Sequence, residues 1–185
     1  MSSYFSSTPN NFTVFGSNTY FSANNGSVNN GRELWVTDGT PSETNLYLDV
    51  NSGTASSNPD QLNVLGSQLT FVATHSTLGR ELFKTNGSGS LTVTRDINPS
   101  GDSNPSNVTK INSLLYFSAD NGTAGQELWK SDGTSLGTVL LKDINPTGAS
   151  NPSKFTQVGS TIFFIANDGV NGIELWKTDG TSTGT

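Results

Sequence analysis

Apolar positions along this chain come in short bursts, none longer than a single strand. Thr19-Tyr20-Phe21, Leu69-Thr70-Phe71-Val72, Leu114-Leu115-Tyr116-Phe117 and Ile162-Phe163-Phe164-Ile165 are nearly continuous apolar runs. Such runs suit strands that are covered on both faces. In the stretch from Pro105 to Ser150 the pattern predicts four strands, at 108–111, 114–119, 127–130 and 139–144. The breaks between them are Asn112-Ser113, the loop Asp120 to Gly125, the turn Asp132-Gly133-Thr134 and, after the last strand, Asn145-Pro146-Thr147-Gly148. No segment sustains a helical period, because Gly or Asn interrupts every stretch long enough to hold a good helix.

The same pattern returns four times. Glu33-Leu34-Trp35, Glu81-Leu82-Phe83, Glu127-Leu128-Trp129 and Glu174-Leu175-Trp176 stand 48, 46 and 47 residues apart, and each runs on into a Thr/Ser-Asp/Asn-Gly-Thr/Ser turn. A period near 47 residues with four short strands per repeat is the content of one propeller blade. The expected fold is therefore all-β, a β-propeller of four blade-like repeats with four antiparallel strands each. One repeat domain spans 1–185, with repeats at about 7–56, 57–103, 104–150 and 151–185. Only three fourth strands follow the Asp-Gly-type turns. Residues 1–6 hold the segment Ser3-Tyr4-Phe5-Ser6, a candidate to complete the last blade and remove both sheet edges. Offset ends of this kind could also pair between molecules, so self-association into rings or filaments is the alternative.

Composition narrows the partners. Hydrophobic residues make up 31% of the chain and charged residues 13%, and the remainder is rich in Ser, Thr, Asn and Gly, which favour strands and turns. A net charge of −6 with scattered basic residues argues against nucleic acid, which needs clustered Lys and Arg. There is no run long enough to span a membrane, no signal-peptide pattern in this chain and no cysteine.

The phrase Glu-Leu-Trp-x-x-Asp-Gly-Thr, together with Gly137-Thr138 and Asp143-Ile144-Asn145-Pro146 in the third repeat, resembles the bacterial ELWxxDGT-repeat family. The resemblance covers nearly the whole chain. It implies a propeller-like repeat domain of secreted or surface-associated bacterial proteins, so the expected location is extracellular or at the cell surface. It implies no catalytic residues. The second repeat departs from the pattern at Phe83, Asn86 and Ser88, and the first has Glu43-Thr44 where Gly-Thr is expected.

Candidate chemistry lies mainly in the acids, ten of whose fifteen members occupy repeat positions. Asp38, Asn86, Asp132 and Asp179 suit a structural role, each holding its turn by accepting bonds from nearby amides. Trp35, Phe83, Trp129 and Trp176 suit packing between blades, where large aromatics contribute most. A hairpin centred near residue 135 sets Glu127 opposite Asp143, and the same spacing, to within a residue, pairs Glu33 with Asp49 and Glu81 with Asp96. Like charges facing each other need compensation. Backbone amides can provide it, and so can calcium, with Glu127, Asp143, Asp120, Asp168 and Glu174 as candidate ligands. No other cofactor is indicated.

The longer loops, 24–31, 75–79, 120–125 and 167–172, gather at one end of the blades with the linkers 52–58, 98–104 and 145–151. This polar face is a natural site for a protein or a polar glycan. The only histidine, His75, sits in a polar loop, and no nonrepeated cluster of acids stands out. The sequence-based expectation is thus a non-catalytic extracellular binding or adhesion scaffold. A self-assembling structural module comes next, and a propeller hydrolase or lyase third.

Overall fold

The computed structural model describes residues 6–25 and 31–185. These residues form fifteen strands in four antiparallel sheets, and they fall into two compact units that divide after Val93. The first unit holds β1 (Asn10–Phe15), β2 (Asn18–Asn24), β3 (Arg32–Thr37) and β4 (Asn45–Leu48), bonded in chain order. A second sheet follows with β5 (Asp60–Leu65), β6 (Gln68–His75), β7 (Gly79–Thr85) and the two-residue β8 (Thr92–Val93). The second unit holds β9 (Ser106–Ile111), β10 (Leu114–Asp120), β11 (Gln126–Ser131) and β12 (Val139–Lys142). Its other sheet has β13 (Ser153–Val158), β14 (Thr161–Asn167) and β15 (Ile173–Thr178). The segment expected to complete that last sheet falls largely in residues 1–5, outside the described residues. No helix of the described residues is long and apolar enough to cross a membrane.

Local chemistry explains the repetition. In each sheet a two-residue turn joins the first two strands, and its first residue takes positive φ. Gly16, Gly66 and Gly159 fill this position, and Asn112 does so at φ +55°. Asn is the residue type besides Gly that tolerates this conformation best. The lead-in to each first strand is tied to the end of the second, where Asn24, Thr74, Asp120 and Asn167 donate their amides to the carbonyls of Ser7, Ser57, Ser103 and Ser150 at 2.8–2.9 Å.

Each unit has its own core. In the first, Leu34 and Val50 share one buried cluster with Leu69, Phe71, Ala73 and Phe83. In the second, Leu128, Leu141 and Ile144 share a cluster with Phe155, Phe164 and Ala166, and Trp176 packs against it. The leucine of the repeated phrase and the Val or Ile just beyond the fourth strand thus pack with the next sheet's aromatic strands. Burying one such side chain contributes about 1.5–3 kcal/mol.

The first strands share an irregularity. Their ladders shift register near the start, between Asn10 and Thr13 in β1, Asp60 and Asn63 in β5, and Ser153 and Thr156 in β13; β9 shifts register likewise against Tyr116/Ser118 of β10. Asn11, Gln61, Asn107 and Lys154 take φ between +51° and +57° at these places. Bulges of this kind bend the strand and re-aim the neighbouring side chain.

Candidate functional site

The repeated glutamate is a buried clamp. Glu33 accepts hydrogen bonds from the amides of Ser57 at 2.7 Å and Val50 at 2.8 Å, and from the Ser57 hydroxyl at 2.5 Å, with Asn51 adding a longer one at 3.4 Å. Glu127 repeats the arrangement with the amides of Ser150 at 2.9 Å and Ile144 at 2.7 Å, and the Ser150 hydroxyl at 2.6 Å. Glu33, Glu81 and Glu127 have no exposed surface. Burial pushes the carboxyls of Glu33 and Glu127 above the ordinary range, while the serine and amide donors pull them part of the way back. The register places Leu128 opposite Lys142, so Glu127 and Asp143 stand next in line on the two strands. Glu127 is sealed inside and Asp143 is exposed, and the Asp143 charge adds a smaller push of its own to the raised Glu127 carboxyl.

The turn acids are also satisfied by their own backbone. Asp38, Asp132 and Asp179 each accept the amide and hydroxyl of the threonine two residues on, at 2.6–2.9 Å, and Asn86 holds Ser88 in the same way. Trp129 and Phe83 are buried, and Trp35 and Trp176 are half-buried.

The proposed calcium ligands are not brought together. Asp120 caps the amide of Gly122, and Asp168 accepts from the amides of Val170 and Asn171 and from the Asn171 side chain. These bonds hold the Asp168 carboxyl below its usual range. Glu174 is exposed, and Glu127 is occupied by its own donors. Among the described residues no three acidic or histidine side chains converge on a common point. The compensation that the facing charges required comes from backbone amides and a serine.

A different acid faces an open space. Asp60 begins β5, immediately before its bulge, and lines a polar cleft of about 290 Å³ with Asn10, Asn11, Ser22, Arg32 and Asn58. Its Oδ1 lies 2.8 Å from a guanidinium nitrogen of Arg80, which also donates to the Asn58 carbonyl at 3.3 Å. Burial raises the Asp60 carboxyl above its usual range, and Arg80 offsets only part of that. On the other side Arg32 donates to Asn10 Oδ1 at 3.2 Å and to the carbonyls of Ser22 at 3.1 Å and Thr8 at 2.6 Å. One cation, Arg32, side-chain amides and one carboxyl of raised pKa, itself held by Arg80, can hold a polar substrate and exchange a proton with it.

Sequence reasoning missed this cleft. At the positions equivalent to Asp60 the other repeats carry Asn10, Ser106 and Ser153, and at those equivalent to Arg80 they carry Arg32, Gln126 and Ile173. The signal was departure from the repeat. A second cavity, of about 340 Å³ and lined by Phe12, Phe21, Ala23 and Trp35, has an architectural explanation. Phe12 and Phe21 correspond to Phe155 and Phe164, which in the second unit are packed with Leu128 and Ile144.

Neither a protein-family model nor a curated protein matches the chain. Solved structures do match. A puromycin hydrolase aligns over 98% of this chain and 28% of its own, with a TM-score of 0.59 at 16% identity. An endo-arabinase from Bacteroides thetaiotaomicron aligns over 98% of this chain and 77% of its own, with a TM-score of 0.42 at 13% identity. A GH43 endo-arabinanase from Bacillus licheniformis aligns over 92% and 71%, with a TM-score of 0.35 at 15% identity. The chain spans less than a third of the puromycin hydrolase. At these identities the likeness is one of fold, all-β and propeller-like. The structure matched with a TM-score above 0.5 is that of a hydrolase, and it stands against the expectation of a non-catalytic binding, adhesion or self-assembling scaffold, which is corrected accordingly.

Proposed function

We propose that the chain is the propeller section of a hydrolase and that it meets substrate at the cleft lined by Arg32 and Asp60. The observation that carries this reading is Asp60, a carboxyl outside the repeat pattern, raised in pKa by burial yet lining an open polar cleft. The likeness to the puromycin hydrolase over 98% of this chain supports the fold on which the reading rests. In its protonated form Asp60 donates to a leaving group, and once ionised it takes a proton from the attacking water. Arg32 orients polar substrate groups beside it through its guanidinium N–H groups, while Arg80 positions the Asp60 carboxyl. The resemblance carried by the Glu-Leu-Trp phrase supports a secreted or surface-associated bacterial setting.

The test is hydrolysis and binding of puromycin, arabinan and xyloglucan oligosaccharides by the chain and by Asp60→Asn. Turnover or binding of at least one probe by the wild type, lost in Asp60→Asn with an unchanged unfolding midpoint, is the expected result. No turnover and no binding of any probe, or full activity in Asp60→Asn, would overturn the assignment.

A further inference from the structure

Arg32 and Arg80 hold the same place in two successive repeats, and only one of them has an acid. Each lies at the start of a third strand and reaches across the middle strand of its sheet to the first. In the second repeat Arg80 meets Asp60, nitrogen to oxygen, at 2.8 Å. In the first repeat Asn10 stands in the place of Asp60, and Arg32 donates to its side-chain oxygen at 3.2 Å. The other acceptors of the Arg32 guanidinium are the carbonyls of Ser7, Thr8 and Ser22 and the hydroxyls of Thr8 and Ser22. Every one of them is neutral. Residues 1–5 and 26–30 contain no Asp or Glu either. Among the described residues this arginine is gripped by neutral groups alone, and its charge has no counter-ion.

That charge lines the cleft. The two guanidiniums outnumber the one carboxyl, so this corner stays positive whether Asp60 is ionised or protonated, in a chain whose net charge is −6. Among the described residues no acceptor takes the Arg32 Nε–H or the side-chain N–H groups of Asn10 and Asn58, residues that line the same cleft. A fixed cation flanked by unused donors suits an anion, whose binding then costs little reorganisation. Among the described residues Pro59 is the only apolar one in the lining, so a group with polar surface on every side fits better than an aliphatic or aromatic one. A sugar ring has this character, because its hydroxyls match side-chain amides that both donate and accept.

We propose that the cleft takes a sugar acid and that Arg32 recognises its carboxylate. This rests on the reading of the cleft as the substrate site, and it names the substrate class. Asn10 sets the selectivity. An acid at that position would give Arg32 the partner that Arg80 already has, and the cleft would lose the charge that attracts an anion.

The experiment measures binding of trigalacturonate and of its carboxyl-reduced counterpart, a neutral trisaccharide, by calorimetry at low salt. The wild-type chain is expected to bind the acid roughly tenfold more tightly, as a charge-assisted hydrogen bond gives. Added salt should shrink that preference by screening the charge. Asn10→Asp, at an exposed position, is expected to cut the preference below about twofold by giving Arg32 its ion pair. Arg32→Gln should do the same. Arg95→Gln makes the same change in net charge outside the cleft and is expected to keep the wild-type preference. Equal binding of the two sugars by wild type, no binding of either, or a preference that survives Asn10→Asp would overturn the proposal. So would a preference found only for a tripeptide acid over its amide, which would assign Arg32 to a peptide carboxylate. Hydrolysis of a neutral probe, lost in Asp60→Asn, with no preference for the acid would leave the hydrolase function standing and remove only the sugar-acid site. The preference without hydrolysis of any probe would keep the sugar-acid site and remove the hydrolase function.

Discussion

Glu127 and Asp60 are both carboxyls whose pKa burial raises, yet they sit in opposite kinds of place. Glu127 has no exposed surface and is filled by three donors from the segment that follows its sheet. Asp60 is partly exposed, has one cation at 2.8 Å and lines a cleft. The glutamate recurs in every repeat and is buried in three of them, whereas the second acid occurs once. A raised carboxyl pKa alone therefore does not distinguish structure from chemistry in this fold. What separates them is whether the surrounding donors leave room for anything else.

Variants can widen or collapse that contrast. The largest effect is expected from Leu128→Ala, which empties part of the core beside Glu127 and should cost about 2–5 kcal/mol. Leu175→Ala on β15, where the leucine is exposed, should stay within about 0.5 kcal/mol. Urea unfolding of the two variants measures the difference, and equal losses would erase the distinction between the buried and the exposed leucine. Next comes Glu127→Gln, where an NH₂ group replaces one of two oxygens that both accept bonds. A loss of about 1–3 kcal/mol is expected from the same measurement. Gly137→Ala belongs in this range, because an added Cβ would lie 2.0 Å from Asp132 Oδ1. Crowding at a formed turn should cost about 1–3 kcal/mol, read as a lowered thermal midpoint.

A smaller effect is the pH dependence of the clamp. The Glu127 carboxyl has a folded pKa above its ordinary value near 4.5. Its contribution is therefore fully present below about pH 4.5 and is lost as pH rises through the folded value. The stability margin of wild type over Glu127→Gln should shrink as pH rises from about 4.5 toward neutrality. Unfolding curves across that interval test the sign, and a margin that grows with pH would contradict it. Smallest of all is Asp60→Asn, for which half-exposed pairing with Arg80 predicts a loss of about 0–1 kcal/mol.

The scaffold was largely readable from residues. The four strands predicted between Pro105 and Ser150 correspond to β9–β12, and the hairpin centre near residue 135 agrees with the pairing of Leu128 and Lys142. Apolar runs and turn residues are local signals, which is why they survive in a single sequence. The fourth strand of the second repeat shrank to Thr92–Val93 after the Gly87-Ser88-Gly89-Ser90 stretch, where Gly87 and Gly89 both take positive φ. The cleft was harder to see. Its shape depends on a bulge at Gln61, a residue type with no preference for the φ of +51° it adopts. Its pairing of Asp60 with Arg80 joins strands β5 and β7, which are not neighbours in their sheet. Attention to what repeats also draws the eye from Asp60, because that acid is where repetition fails.

The most direct test sets Glu127→Gln beside Asp60→Asn, each assayed for unfolding midpoint and for hydrolysis of the probe that wild type turns over best. The account predicts that Glu127→Gln lowers the midpoint and keeps the wild-type rate per folded molecule, while Asp60→Asn keeps the midpoint and loses the rate. A midpoint lowered by Asp60→Asn as much as by Glu127→Gln, with hydrolysis intact, would contradict it.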